Sequence, residues 1–197
     1  ISSKSPKGQA TPVAQAKLLA PLPLPPVIYC AGANYKDHAE EMWKAAGRPP
    51  EPDPHELGLK PWFFLKNPHS VVASGVDVEI SNYSKKMDWE IELAVIIGRK
   101  ARNLTIQNAM SCVAGYTCGN DLSARDHGPR ANVPDTSPFK ADWIRHKSFE
   151  GSAPMGPWMT PAPYIKNPED LSMKLWVNAD LKQNSKDRKS TRLNSSH

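Results

Sequence analysis

Polar and apolar positions alternate most sharply along Asp88–Gly98, DWEIELAVIIG. In an extended strand Asp88, Glu90 and Glu92 take one face, and Trp89, Ile91, Leu93 and Val95 take the other. Two or three carboxylates are thus lined up beside an apolar run. Like charges at this spacing repel and each holds its water, so a half-buried strand carries them either as a solvated edge or around a positive partner. A divalent cation is the simplest such partner, and on the strand alone both readings stand.

The same reasoning predicts short elements elsewhere. Residues 1–20 show no stable periodicity and read as an arm. Pro21–Pro26 is an extended spacer feeding a strand over Val27–Ala31. Tyr35, Ala39, Met42, Trp43 and Ala46 recur at helical spacing, with Gly47 as a stop. On that helix His38 and Glu41 lie three apart on one face, a spacing that by itself describes a surface pair. Residues 48–61 form a polar, Pro-rich loop. Strands are expected at Trp62–Lys66, Val76–Ile80, Asp88–Ile97, Tyr116–Asn120 and Leu171–Val177, and a helix over Ile106–Ala114 between the cap Thr105 and Gly115. Asp121 closes the fourth of those strands, where a strand-end carboxylate is placed to converge on those of another strand. Gly128–Asp142 reads as a long loop, Lys147 as a solvated lysine beside Arg145 and His146, and SAPMGPWMTPAP as successive turns.

The length of 197 residues suits one domain with an appended arm: 1–26 as arm and linker, 27–184 as the domain, and 185–197 as a disordered tail of non-native character. The 39% hydrophobic and 23% charged content is that of a globular protein, and 20 prolines imply many turns. Cys30, Cys112 and Cys118 form no C-x-x-C pair and read as reduced, mostly buried thiols. Of the net charge of +5, +3 falls in the last eighteen residues, where Lys182, Lys186, Arg188, Lys189 and Arg192 oppose Asp180 and Asp187, leaving +2 for the rest. The near-neutral body gives no support for a nucleic-acid surface. No apolar stretch is long enough to span a bilayer and residues 1–20 lack a signal-like centre, so the expectation is a cytoplasmic protein (cytosol or an organelle matrix) without a membrane partner.

Three blocks in order, NYKDHAEEM, DWEIELAVIIG and GYTCGNDLSARD, followed by HKSFEGSAPMGPW and LWVNADLKQNS, resemble the fumarylacetoacetate hydrolase family over residues 27–185. The likeness is strongest to its smaller acylpyruvase-like and decarboxylase or isomerase members. The resemblance implies a mixed α+β, mainly β fold, a β-roll or distorted barrel-sandwich with a few short helices. It also implies a chain incomplete at its C-terminal end, since relatives continue with further strands and a G-T-P-x-G-type loop. By position it makes Glu90, Glu92 and Asp121 the ligands of Mg²⁺ or Mn²⁺, with Ca²⁺ a further candidate, as hard oxygen donors would select. Asp88 is placed beside them as an acceptor, and Arg125 and Asp126 as braces.

The same resemblance turns His38 and Glu41 into a catalytic dyad and Lys147 into an active-site lysine. The implied reaction is hydrolysis of a C–C bond in an acylpyruvate or other diketo acid through a metal-stabilised enolate. Glu41 would orient His38, which draws a proton from water, and Lys147 would face the developing oxyanion. Decarboxylation or isomerisation of a 2-oxo acid needs only another substrate in the same site. A reading of another class is an inactive metal-binding or oligomer-forming fragment. Relatives are commonly dimers, so a homodimer is expected.

Overall fold

The computed structural model describes residues 11–32, 40, 43–44, 47–50, 52, 56–80 and 82–186, with the side chains of 185 and 186 outside that description. Strand β1 (Ile28–Ala31) pairs antiparallel with β2 (Phe63–Lys66). A four-stranded sheet runs in the order β3-β8-β6-β5, from β3 (Val71–Ala73), β8 (Ala153–Pro161), β6 (Val113–Asn120) and β5 (Ile91–Ile97). Its β3–β8 pair is parallel and the other two are antiparallel. The two-residue strands β4 (Met87–Asp88) and β7 (Ser123–Ala124) form a small ladder of their own. A hairpin, β9 (Ser172–Val177) and β10 (Asp180–Lys186), ends the described chain. Helices are short: α1 covers Ile106–Ala109 and α2 Trp143–Lys147. The fold is mixed α+β and mostly sheet, and the described strands do not close into a barrel.

Local chemistry explains the ladders. Val95, Ile96 and Ile97 give β5 the branched side chains that suit a pleated surface, and β6 answers with small residues. A Cβ on Gly115 would stand 2.4 Å from the Thr160 carbonyl oxygen, so only glycine lets β6 and β8 approach at that point. The β9–β10 turn has Val177 opposite Asp180, and Asn178 takes a left-handed φ of 55°, a conformation that asparagine tolerates.

Several expected elements differ. The acidic strand does not run unbroken from Asp88 to Ile97. Asp88 Oδ1 accepts from the Trp89 N–H at 2.9 Å and Glu90 N–H donates to Asn120 Oδ1 at 3.0 Å, so the chain changes ladder at residues 89–90. Among the described residues Val76–Ile80 pairs with no strand. The pairing falls earlier, on Val71–Ala73, because that segment meets β8, and Gly75 (φ 79°) turns the chain just after it. The helix from Ile106 stops at Ala109, passes through a 3-10 turn at Met110–Cys112, and gives way to β6 at Val113. The largest correction is SAPMGPWMTPAP, expected as turns and found as β8, an interior strand. Its prolines are accommodated by a register irregularity between Tyr116 and Cys118 on the partner strand. The stretch leading to Lys147 is α2, capped by Asp142, whose Oδ1 accepts from Arg145 N–H at 3.1 Å.

Of the helix expected after Gly32, residues 40, 43 and 44 are helical, while His38 and Glu41 lie outside the described residues. All three cysteines are free: Cys112 is buried, Cys30 half-buried and Cys118 exposed. Among the described residues no helix is long and apolar enough to cross a membrane. The buried interior is unusually polar. Lys66, Ser70, Thr117, Asp121, Ser123, His146, Lys147 and Ser152 are buried alongside Cys112, Tyr116, Ala124, Phe149, Ala153 and Met173.

Candidate active site

The acids that the sequence placed on neighbouring strands are joined through the backbone. Asp121 N–H donates to the Glu90 carbonyl at 2.8 Å, holding the end of β6 level with the approach to β5. The next backbone position is fixed by Gln183 of β10, whose Oε1 accepts from Ile91 N–H at 2.8 Å. Glu90 and Asp121 therefore project from a braced junction.

Two buried lysines converge on them. Lys147, delivered by the last position of α2, donates from Nζ to Glu90 Oε1 at 2.9 Å and to Asp121 Oδ2 at 2.7 Å. Lys66, at the end of β2, donates to Asp121 Oδ1 at 2.6 Å and to the Leu122 carbonyl at 3.2 Å. Both oxygens of Asp121 are thus taken by cations, and both lysines are 3% exposed. Ser123 Oγ donates to Glu90 Oε1 at 3.1 Å. Arg125 pairs with the same Glu90 oxygen and donates from Nε to Asp88 Oδ2 at 2.8 Å. Among the described residues, Asp88, Glu90 and Asp121 are joined with Lys66, Arg125 and Lys147 in one connected network of ion pairs.

The environment leaves its mark on several groups. Burial pushes the Lys66 ammonium below the usual lysine range, against the pull of Asp121. Burial, with the charge of Asp121 next and Glu92 adding to it, raises the Cys30 thiol to about 12. Burial would lower Arg125, but Glu90 and Asp88 outweigh it and raise the guanidinium. His146, next to Lys147, stacks on Trp143 with ring centroids 5.6 Å apart, and its buried Nε2 meets no partner among the described residues. Burial holds it neutral, pushed down to about 4. Outside the network, the Ser84 hydroxyl and the Lys85 N–H draw Asp126 down to about 2.

The structure thus brings Glu90, Asp121 and Lys147 into direct contact. Glu92 lies one strand position beyond Ile91, opposite Gly119 in the ladder and close enough to Cys30 to influence its thiol. Among the described residues no three His, Cys, Asp or Glu side chains stand together in a metal-binding group; the carboxylates are grouped with lysine and arginine instead. The donor chemistry of Glu90 and Asp121 still suits a hard divalent ion. Both offer carboxylate oxygens, from the residue just before β5 and the residue just after β6, to one shared cation, the Lys147 ammonium. Lys66, Ser123 and Gln183 were missed by sequence reasoning. The signal for Lys66 was weak: it shares the inward face of β2 with Phe64. Two cavities, of about 400 and 220 Å³, lie beside α2 around Tyr83, Arg145 and Phe149 and around Gly128, Trp143 and His146, and neither is lined by Glu90 or Asp121.

Residues 27–191 match the family model described as Fumarylacetoacetate (FAA) hydrolase C-terminal. The chain belongs to the FAA hydrolase family. Within the family it is 36% identical over 168 residues to the mitochondrial oxaloacetate tautomerase fahd2 of Xenopus laevis, a match covering 85% of this chain and 47% of that protein. Among solved structures, the 5-carboxymethyl-2-hydroxymuconate delta-isomerase of Mycobacterium smegmatis superposes with a TM-score of 0.68 at 31% identity, over 92% of this chain and 63% of that one. The maleylpyruvate hydrolase of Sphingobium sp. SYK-6, solved with manganese(II) and pyruvate, does so with a TM-score of 0.66 at 28% identity, over 91% and 55%. FAA hydrolase family members thus include tautomerases, isomerases and hydrolases. The chain spans about half the length of the curated relatives it matches.

Proposed function

We propose that this chain carries the metal-dependent site of an enzyme that converts a 2-oxo acid through its enolate, the first reaction being a keto–enol or double-bond shift. The observation that carries this reading is the Asp121 carboxylate held between Lys66 and Lys147, with Glu90 sharing Lys147. Glu90 and Asp121, with Glu92 beside them, would hold Mg²⁺ or Mn²⁺. A divalent ion there supplies Lewis acidity toward the keto and carboxylate oxygens of the substrate.

The chain's own residues do the rest. Lys147 and Lys66 place two positive charges in a buried setting where negative charge grows as the enolate forms, and such groups act more strongly there than in water. Arg125 and Ser123 hold Glu90 in place so that the acids do not reorganise during the reaction. His38 with Glu41, carried over from sequence, would move the proton. The tautomerase and isomerase relatives support a proton shift as the net reaction. Hydrolysis of an acylpyruvate-like C–C bond is the second reading, supported by the maleylpyruvate hydrolase likeness and by the His38–Glu41 pair, which could activate a water.

Two assays test this. In a thermal melt, Mg²⁺ or Mn²⁺ should stabilise the chain and oxalate, a mimic of the pyruvoyl end, should enlarge the shift. A ligand at 100 times its dissociation constant adds about 2.7 kcal/mol. Glu90→Gln should abolish the response; a melt indifferent to metal in the unaltered chain would end the metalloenzyme reading. The ultraviolet absorbance of enol-oxaloacetate should then decay faster with metal-loaded protein, whereas acylpyruvate cleavage without such acceleration would favour the hydrolase.

A further inference from the structure

The two buried lysines are held differently. Lys147 Nζ bridges one oxygen of Glu90 and one of Asp121, two acids from two different segments. Lys66 Nζ holds the other Asp121 oxygen and the adjoining Leu122 carbonyl, so it is fixed to the chain that carries Asp121. Both oxygens of Asp121 and one of Glu90 are already paired with cations. Two more positive charges placed among these groups would repel whatever cation stays between the acids.

We propose that Lys147 is the exchangeable cation of this site and Lys66 the fixed one: a divalent ion enters by taking the place of Lys147 Nζ between Glu90 and Asp121, while Lys66 stays and sets the orientation of Asp121. This rests on the reading that the site takes a divalent ion. The displaced ammonium has somewhere to go, because Lys147 Nζ already lies 5.2 Å from the centre of the Phe64 ring, whose face attracts a cation. The backbone of Lys147 need not follow, since its carbonyl is held by Ser152 Oγ at 2.9 Å. Loading therefore moves one side chain, from the acids toward the Phe64 ring. Lys66 is a positioning residue that acts through Asp121.

The test is Mn²⁺ binding, read from the electron paramagnetic resonance signal of free Mn²⁺, on the full chain and on Lys147→Met and Lys66→Met. Removing the competing cation should tighten binding about tenfold in Lys147→Met, equivalent to about 1.4 kcal/mol. Removing the fixed one should weaken it in Lys66→Met. A merely structural role for both would weaken binding in both, and that result, or an unchanged affinity in Lys147→Met, overturns the proposal. A second measurement on the unaltered chain avoids any folding defect. In a Mg²⁺ titration followed by NMR of the lysine side chains, the Lys147 ammonium resonance should shift while that of Lys66 stays. Both staying, with Mg²⁺ bound, overturns the exchange alone. No Mn²⁺ or Mg²⁺ uptake by the unaltered chain overturns the metal site itself and this inference with it.

Discussion

Strand β2 shows two opposite regions of the molecule within four residues. On its outer face Phe63 and Leu65 are 53% and 49% exposed, with Tyr29 of β1 beside them, while on its inner face Lys66 is 3% exposed. The usual preference is reversed, with the lysine inside and the large apolar side chains outside. Side chains alternate along a strand, so β2 can turn only one set inward. The set it buries is Phe64 and Lys66, the one that reaches Asp121 and lies beneath Lys147. The strand's orientation therefore follows the charged network rather than the burial of apolar surface, and stability in the described residues should concentrate around Asp121.

The sharpest break is Asp121→Ala. It leaves two buried lysines without their shared acid, and removing one partner of a buried ion pair costs about 3–5 kcal/mol. Urea unfolding in the presence of a chelator should show a loss of that size; a loss below about 1 kcal/mol would mean that the network contributes little.

Second in size is a pH effect at the edge of the same region. Burial pushes His146 down to about 4 from its ordinary 6.5. As pH falls, the unfolded chain takes up this proton first. The contribution is thus complete above about pH 6.5 and is lost between there and pH 4, up to about 3 kcal/mol. Unfolding midpoints across that range should fall less steeply in His146→Asn than in the unaltered chain; parallel curves would remove His146 as the cause. Arg125 is more exposed, and Arg125→Met should cost only about 1 kcal/mol in the same urea assay. The smallest effect belongs to the outer face, where Leu65→Thr should stay within about 0.5 kcal/mol. A loss equal to that of Asp121→Ala would show that this face is covered in solution.

Much of the charged region was legible beforehand because it is encoded locally. Asp121 follows the end of a strand as the pattern suggests, and Glu90, although the expected strand breaks at residues 89–90, keeps its place beside it through the Asp121 N–H to Glu90 carbonyl bond. Lys147 was found only through the family likeness. By itself it reads as a loop lysine, and what buries it is a five-residue helix too short to leave a periodic trace. Lys66 closes an apolar run like any strand-end lysine, and only its long-range partner Asp121 gives it meaning. Strand β8 was hidden by its prolines, which suggest turns until β3 and β6 supply partners on both sides. The exchange of pairing from Val76–Ile80 to Val71–Ala73 has the same origin, since a strand is defined by what it pairs with.

The parallel pairing of β3 with β8 has a consequence in time. Val71 registers with Ala153, eighty-two positions later, and β6, which lies between β8 and β5, cannot be enclosed before β8 arrives. Contacts so distant along the chain form slowly, because a long loop must close before any of them is rewarded. On a ribosome, Lys66 and Glu90 emerge well before Lys147, so the acids spend the early part of synthesis hydrated and without that partner. The centre of charge is therefore assembled late, and its completion reports that the four-stranded sheet has closed.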